Sequence, residues 1–328
     1  MSQLDNARYA IGIDLGTTHS ALSYVDLQAS DGEKAVDAVL PIPQLTAPGT
    51  IEALPLLPSF LYLPHPDEMP AGERALPWSQ FDETAIAGEM ARSRGATTPI
   101  RLVSSAKSWL CHPGVDRRGA ILPQDAPEEV TRVSPLAAST RYLEHLRQAW
   151  NAAHPEAPFD QQSVTVTIPA SFDPGARELT AEAARQAGFA PTLLEEPQAA
   201  LYSWIQGSGG RWRKQVAPGD IILVVDVGGG TSDFSLIAIL ERDGKLEPHR
   251  VAVGDHILLG GDNMDLALAH FVARKLATNG TQLDAWQMRA LTYGCRSAKE
   301  ELLANPNATT HPIVVPSRGS KLIGGSIR

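Results

Sequence analysis

The sequence is short of cysteine, of excess basic charge and of long apolar runs. Its two cysteines, Cys111 and Cys295, lie far apart, which argues against a disulfide framework and against a cysteine-rich metal site. The formal net charge of −9 and the isoelectric point near 5.5 argue against a protein built mainly to hold nucleic acid. The longest apolar stretches, such as IILVV at 221–225, are too short to cross a bilayer. Because the polar N-terminus also lacks an apolar signal core, these features predict a soluble, cytoplasmic protein.

The composition is that of a globular protein. The chain has 328 residues, of which 43% are hydrophobic and 20% charged, so it can bury a sizeable core. It is too long for one compact domain of ordinary size. We therefore expect two domains, or one large domain in two lobes.

The stretch VVDVGGGTSDF at 224–234 is the first candidate for a functional loop. The run at 220–227 is rich in aliphatic residues and predicts a strand buried on both faces, and FSLIAIL at 234–240 predicts a second strand. The glycines between them therefore connect strand to strand. A P-loop needs a lysine and a following helix, and a dinucleotide fingerprint also needs the helix, so this stretch is neither.

A glycine hairpin of this kind can offer backbone N–H groups to an anion, because glycine lets the backbone approach closely. Thr231 and Ser232 add hydroxyl donors, and Asp226 at the end of its strand can hold a hydrated Mg²⁺ ion. Ordinary hairpin turns also select glycine. These residues by themselves leave a nucleotide-binding loop and a plain glycine hairpin both open.

The same pattern occurs a second time, in YAIGIDLGTTHS at 9–20. An apolar strand again leads to an aspartate, Asp14, followed by a turn at Gly16 and by Thr17 and Thr18, and the strand-like ALSYV comes next. Each half of the chain thus carries one copy. Two such hairpins that face each other could clamp a polyphosphate and its metal ion between two lobes, which favours the ligand-binding interpretation.

These two stretches resemble the phosphate motifs of the actin-like ATPase superfamily, and specifically those of the seventy-kilodalton heat-shock (DnaK-like) chaperones. Three further stretches are similar to that family in the same order along the chain, so the resemblance covers about 9–302. They are LVSSAKSWL at 102–110, VTVTIPASFDPGARELTAEAARQAGFAPTLLEEPQAAL at 164–201, and VGDHILLGGDNMD at 253–265.

The resemblance implies an α/β protein with the actin-like ATPase (ribonuclease H-like) fold, in which two lobes enclose a central nucleotide cleft. The lobes would be 1–202 and 203–328. The implied activity is Mg²⁺-dependent ATP hydrolysis, with ATP or ADP and Mg²⁺ as cofactors. In a complete protein, hydrolysis would regulate the binding of unfolded polypeptide clients, with co-chaperones as further partners. Neither nucleic acid nor a membrane is an expected partner, and we expect this chain to be monomeric.

The resemblance also implies roles for particular residues. The implied catalytic residues are Lys107, Glu196, Asp226 and Thr231. The implied nucleotide contacts are Gly16, Thr17, Thr18, Gly228, Gly229, Gly230, Thr231, Gly260, Gly261 and Lys299. The implied metal contacts, through water, are Asp14, Asp226 and Asp233.

Some of these residues have plainer interpretations. Glu196, before Pro197, lies at a predicted helix start and could be only an N-cap. Asp233 could instead close its own turn, and Gly260 and Gly261 could be only a loop before a helix that begins near Asp262. A lone lysine such as Lys107 is usually a solvated side chain.

The residues around Lys299 depart from the family. The arginine or serine residues that often accompany the matching lysine, beside the adenosine, are replaced here by Glu300 and Leu303. Base stacking there is therefore in doubt.

Other departures lie outside the motifs. A proline-rich connection at about 26–60 replaces a short hairpin and predicts a β-excursion or a mobile loop, and 111–135 is also loop-like. KLIGGSIR at 321–328 superficially resembles an adenosine motif, but we interpret its glycines as part of a strand pair. On that interpretation the second lobe is incomplete, no peptide-binding domain is present, and turnover is weak or absent.

Three other functions remain open. A filament-forming actin relative would be a structural protein, and the Lys107 stretch and EEPQAA argue against it. A sugar or acetate kinase would need an acceptor pocket, which the sequence does not identify. A nucleotide-dependent binding module without hydrolysis is the nearest alternative.

Overall fold

The structure is a computed structural model that describes residues 7–29, 37–70, 72–78, 84–124, 126–255, 257–316 and 326–327. Within these residues no helix is both long enough and apolar enough to cross a membrane.

The strands of the N-terminal half, in chain order, are β1 (Tyr9–Leu15), β2 (His19–Asp26), β3 (Ala38–Val39), β4 (Ile42–Ala47), β5 (Thr50–Leu54), β6 (Leu57–Pro58), β7 (Leu61–Tyr62), β8 (Ile86–Ala87), β9 (Leu102–Val103), β10 (Ser163–Ile168) and β11 (Thr192–Glu195). Those of the C-terminal half are β12 (Ile221–Val227), β13 (Ser232–Arg242), β14 (Lys245–Val253), β15 (Val315–Pro316) and β16 (Ser326–Ile327).

The helices are α1 (Glu89–Thr97), α2 (Ala106–Cys111), α3 (Pro135–Ala153), α4 (Pro174–Gln186), α5 (Glu196–Gly207), α6 (Gly261–Thr278) and α7 (Ala285–Ala304). Short 3₁₀ turns lie at Pro99–Arg101, Phe159–Gln161 and Arg211–Lys214.

A six-stranded sheet organises the N-terminal half. Its order is β11-β10-β1-β2-β3, and β6 also pairs with β2. The strands β1, β10 and β11 run parallel, while β1 and β2 form an antiparallel hairpin. In β1 the alternate side chains Ile11 and Ile13 are buried, and Trp150 of α3 is fully buried in the same core. This core fixes the end of β1, where the first candidate turn begins.

The helix α4 begins and ends as its sequence predicts. Asp173 is the N-cap and accepts a hydrogen bond from the Ala176 backbone N–H at 2.6 Å. Pro174 takes the first helical position, where its missing N–H costs nothing. Gly188 follows the helix at a φ of 92°, which favours glycine. The apolar residues at helical spacing along α4 are all buried, so α4 is a scaffold element; they are Ala176, Leu179, Ala183 and Ala184, with Ala187 just after the helix.

A three-stranded antiparallel sheet, β12-β13-β14, organises the C-terminal half. The predicted strand pair around the glycines is confirmed, because β12 and β13 form an antiparallel hairpin. In this hairpin Ile221 lies opposite Ala238, and Val227 lies opposite Ser232. The prediction that β12 is buried on both faces is wrong. Leu223 is 56% exposed and Val225 53% exposed, because no element among the described residues covers that face of the sheet.

The proline-rich connection at 26–60 is a β-excursion. Beyond 30–36, which lie outside the described residues, the chain forms β3, the antiparallel hairpin β4–β5, and β6. The described residues between α2 and α3 are loop-like, as predicted for 111–135, apart from an isolated bridge between Leu122 and Val133. At the C-terminal end β15 pairs with β16, which supports the predicted strand pair, while Gly324 and Gly325 lie outside the described residues.

Candidate nucleotide site

The two glycine turns meet in space. The turn after β1 carries Thr17 and Thr18, and the turn after β12 carries Gly229 and Gly230. A Cβ placed on Gly229 would lie 1.9 Å from Thr18 Oγ1, and a Cβ on Gly230 would lie 3.0 Å from Thr17 Cγ2. Neither position has room for a side chain. The sequence-predicted residues of both hairpins therefore form one composite loop.

The start of α6 rests on the second of these turns. The backbone N–H groups of Gly261 and Asp262 donate to the carbonyl oxygens of Gly228 and Gly229 at 3.0 and 2.7 Å. A Cβ on Gly260 would lie 2.6 Å from each of those oxygens. Gly260 is thus required for this close contact, whereas a Cβ on Gly261, the first residue of α6, would meet no atom closer than 3.4 Å. The positive end of the helix dipole faces the same region.

Lys107 and Glu196 form a buried ion pair beside the turns. Lys107 Nζ lies 2.6 Å from Glu196 Oε1, and the two side chains are 13% and 15% exposed. The N-cap interpretation of Glu196 is wrong, because the cap residue of α5 is Glu195, and Glu196 is the first residue inside the helix. The interpretation of Lys107 as a solvated side chain is also wrong, because its ammonium group is buried against the Glu196 carboxylate.

Two more carboxylates act on this pair. Burial lowers the pKa of Lys107, but Glu196, Asp14 and Asp226 together outweigh burial, so that the pKa lies above its ordinary value. Burial raises the pKa of Glu196, Lys107 opposes this, and Asp14 and Asp226 add to the rise. Lys107 therefore carries its positive charge at neutral pH within a group of three carboxylates.

The metal candidates lie at the ends of the paired strands. Asp14 Oδ1 accepts a hydrogen bond from Thr167 Oγ1 at 3.0 Å. Asp226 lies directly opposite Asp233 in the β12–β13 ladder. Asp233 is buried and accepts a hydrogen bond from Ser171 of the N-terminal half. Among the described residues no group of three or more acidic, histidine or cysteine side chains could hold a metal directly. An ion placed here would keep most of its water, as Mg²⁺ commonly does.

Lys299 is tied to the start of α6. Its Nζ lies 2.7 Å from Asp265 Oδ1 and donates to the Gly261 carbonyl oxygen at 3.1 Å. The two residues that depart from the family near Lys299 lie in different surroundings. Glu300 forms an ion pair with Arg92 of α1 at 3.3 Å, and Leu303 is 79% exposed. The structure thus brings Lys299 to the glycine segment, while neither replacement side chain lies in a packed site.

Sequence reasoning missed a second set of residues near the turns. Ser108 follows Lys107, and its Oγ is buried with no hydrogen-bond partner. A Cβ on Gly230 would lie 2.2 Å from that oxygen. Ser105 and Asp262 are hydrogen-bonded to each other across the two halves. Their positions in the sequence could have indicated them, because the two serines lie on either side of Lys107 and Asp262 directly follows the glycine pair.

A cavity of about 610 Å³ lies between α2 on one side and α6 and α7 on the other. Its lining includes Ser105, Trp109, Tyr293 and Arg296, and also Gly230. Because Gly230 belongs to the composite loop, the cavity borders that loop.

The composite loop suits a phosphate group. Its glycines bring bare backbone close together, Ser108 offers an unpartnered buried hydroxyl, and Lys107 supplies a buried positive charge. Fixed N–H groups, hydroxyls and a lysine are the donors that phosphoryl oxygens require.

The chain is similar to known proteins over most of its length. A family model described as Hsp70 protein matches residues 119–320. The chain is 30% identical over 308 residues to a Chaperone protein HscA homolog of Polynucleobacter necessarius subsp. necessarius (strain STIR1), covering 93% of this chain and 43% of the relative. The HscA homolog of Acidithiobacillus ferrooxidans (strain ATCC 53993 / BNL-5-31) is 29% identical over 319 residues, with coverages of 94% and 44%. That of Pseudomonas aeruginosa (strain LESB58) is 29% identical over 308 residues, with coverages of 90% and 42%. The chain thus spans less than half the length of these curated relatives.

Proposed function

The chain belongs to the Hsp70 family, and from that premise we propose that it binds ATP and ADP with Mg²⁺ and hydrolyses ATP. The family consists of ATPases, and its fold is the actin-like ATPase fold with two lobes around a nucleotide cleft. We assign 1–202 to the first lobe and 203–328 to the second. The observation that carries the proposal is the meeting of the two glycine turns beside the buried Lys107–Glu196 pair.

The two turns would hold the phosphates. Gly16, Gly229 and Gly230 would present backbone N–H groups, and Thr17, Thr18 and Thr231 would donate hydroxyl hydrogen bonds. Gly228, whose N–H donates to the Thr231 carbonyl oxygen at 2.9 Å, would shape the turn that contacts the phosphate. Ser108 extends this set, because its buried hydroxyl has no partner within the protein. Gly260 and Gly261 would present the start of α6, whose dipole favours anions.

Hydrolysis would depend on placement and charge. The Lys107 ammonium group would stabilise the negative charge that develops on the transferred phosphoryl group. Glu196, held 2.6 Å from that ammonium, would orient an attacking water through its second oxygen. Asp226, whose charge also acts on Lys107, would orient the same water from the second lobe, and Thr231 would contact the phosphate that the water attacks.

Mg²⁺ would supply charge neutralisation on the phosphate oxygens. Asp14 and Asp226, at the ends of equivalent strands, would hold its water shell, with Asp233 as a third carboxylate. Lys299 would contact the nucleoside side of the nucleotide, where Glu300 and Leu303 offer no stacking surface.

The chaperone function belongs to the longer protein. The relatives called HscA homologs are chaperone proteins by name. We propose that nucleotide-dependent movement of the two lobes controls the binding of unfolded polypeptides, and that co-chaperones act on this cycle.

Calorimetry with ADP and Mg²⁺ tests binding, and single-turnover ATP hydrolysis tests catalysis. Lys107→Ala should still bind ADP but lose hydrolysis by about a hundredfold or more. Lys275→Ala is the matched control, because Lys275 is exposed and lies on α6. Failure of the unaltered chain to bind ADP would refute the proposal. Binding with an equal hydrolysis rate in the Lys107 variant would favour a nucleotide-dependent binding module. Polymers in ATP, seen by sedimentation, would favour an actin-like filament protein.

A further inference from the structure

Ser105 adopts a backbone conformation that serine rarely takes. Its φ of 54° and ψ of 31° lie in the left-handed region, which few residues other than glycine occupy. The residue immediately precedes α2, the helix that carries Lys107. Its side chain makes no hydrogen bond to the start of that helix, although a serine there commonly does so. Local structure therefore does not explain the conformation.

The hydroxyl of Ser105 instead crosses the cleft. It donates a hydrogen bond to Asp262 Oδ2, in the first turn of α6. The backbone N–H of the same Asp262 donates to the Gly229 carbonyl oxygen at 2.7 Å. One aspartate thus connects the residue before the Lys107 helix to the glycine turn that faces Thr17 and Thr18.

A buried arginine holds Asp262 from the other side. Arg296 Nη2 donates to Asp262 Oδ1 at 2.5 Å, and its Nε donates to Asp265 Oδ2 at 2.8 Å. The guanidinium is 10% exposed, and its carbon lies 5.4 Å from the centre of the Phe60 ring of the first lobe. Both carboxylate oxygens of Asp262 are therefore engaged, and its position is fixed from two helices.

From these contacts we infer that Ser105, Asp262 and Arg296 are positioning residues, which set the place of Lys107 when the two lobes close. The inference rests on the proposed function, because it concerns the same phosphate site. Closure brings Asp262 to Ser105, holds Ser105 in its left-handed conformation, and so fixes the start of α2. None of the three side chains needs to touch the nucleotide.

Ser104, the residue before Ser105, provides a matched control. Ser104 Oγ and Tyr293 Oη are hydrogen-bonded at 3.1 Å, so Ser104→Ala also removes a hydrogen bond between the lobes. That bond ends on the α7 tyrosine and does not reach the first turn of α6. The two alanine variants therefore separate the proposed connection from a general effect of loosening the cleft.

The test uses two readouts. In single-turnover hydrolysis, Ser105→Ala should lower the rate constant by about tenfold to a hundredfold, because small displacements of a catalytic group are costly. Its ATP affinity should change much less than the rate. Ser104→Ala should leave the rate within about twofold. Equal losses in the two variants would overturn the inference.

Ser105→Gly separates the hydroxyl from the backbone. Glycine adopts the left-handed conformation without strain but is not held in it, so this variant removes the hydrogen bond without straining the backbone. It should be slower than the unaltered chain, because the start of α2 is then no longer tied to Asp262. A rate equal to that of the unaltered chain would overturn the inference. Arg296→Lys should be slow as well, because lysine cannot bridge two carboxylates as the arginine fork does.

Amide hydrogen exchange of 106–111, measured in the nucleotide-free chain, tests the connection between Ser105 and α2 without depending on ATP hydrolysis. Exchange there should be faster in Ser105→Ala and unchanged in Ser104→Ala. If the unaltered chain binds no ADP, the proposed function fails, and this readout still decides whether the connection exists. Unchanged exchange in Ser105→Ala would refute the connection even if the chain is an active ATPase.

Discussion

The Lys107–Glu196 pair predicts an asymmetric response to neutralisation. Lys107 faces three carboxylates, those of Glu196, Asp14 and Asp226, and its pKa is raised although burial opposes this. Glu196 faces one cation, and burial together with the same two aspartates raises its pKa despite Lys107. The charged form of Lys107 is therefore favoured in the folded protein, while the charged form of Glu196 is disfavoured.

The magnitudes follow from this arrangement. Removing one partner of a buried ion pair typically costs about 3 kcal/mol or somewhat more, so Lys107→Met should lower the free energy of unfolding by about 3 kcal/mol. Because the folded-state pKa of Glu196 lies above its unfolded value, its neutral form is favoured by folding. Glu196→Gln should therefore leave the free energy of unfolding unchanged or raise it by up to about 1 kcal/mol. The same variant should lose hydrolysis.

Urea unfolding of the nucleotide-free chain, without Mg²⁺, measures both values. Lys275→Met is the control, because that lysine is exposed. The contribution of the raised Glu196 pKa is fully present below the unfolded value of 4.5 and is lost as pH rises through the folded value. The stability of the unaltered chain relative to Glu196→Gln should therefore increase as pH falls from 7 towards 4.5. An equal loss of stability in Lys107→Met and Glu196→Gln would refute this reasoning.

Three further outcomes are expected. Gly229→Ala should weaken ADP binding by about tenfold to a hundredfold in calorimetry, because its Cβ would lie 1.9 Å from Thr18 Oγ1, while Gly207→Ala on α5 is the control, because a Cβ there would meet nothing within 4 Å. Burial lowers the pKa of His145 to about 4, so urea unfolding should show about 3 kcal/mol of stability lost between pH 6.5 and 4, and His145→Gln should lack that loss. Asp173→Ala should cost about 1 kcal/mol in thermal unfolding through loss of the α4 cap, and Asp173→Ser, which keeps a capping oxygen, should cost less.

The local elements of the site could be predicted from the sequence. The β1–β2 and β12–β13 hairpins follow from apolar runs on both sides of glycine turns. The start of α4 follows from Asp173 and Pro174, because both residues act within one helical turn. Lys107 needed more than local pattern, since only the family resemblance connected it to a phosphate site.

The remaining features depend on contacts that no local pattern contains. Ser105 and Asp262 are 157 positions apart, and the local sequence around either residue does not predict their hydrogen bond. The left-handed conformation of Ser105 is set by that distant partner. The exposed face of β12 was misjudged for a related reason: an aliphatic run such as 221–227 predicts a strand, but which neighbours cover its faces depends on the whole sheet.

The distribution of cross-lobe contacts indicates where closure is stabilised. Arg92 and Glu300 join the lobes at the rim, but they are 35% and 37% exposed, and an ion pair of that kind contributes about 0–1 kcal/mol. Buried contacts also surround the glycine turn at 228–230: Thr17 and Thr18 approach it from the first lobe, and α6 of its own lobe rests on it. Because Asp262 of α6 is also hydrogen-bonded to Ser105, this turn is connected through α6 to the start of the Lys107 helix. A change in that turn should therefore alter phosphate binding and Lys107 placement together, while a change at the rim should alter neither strongly.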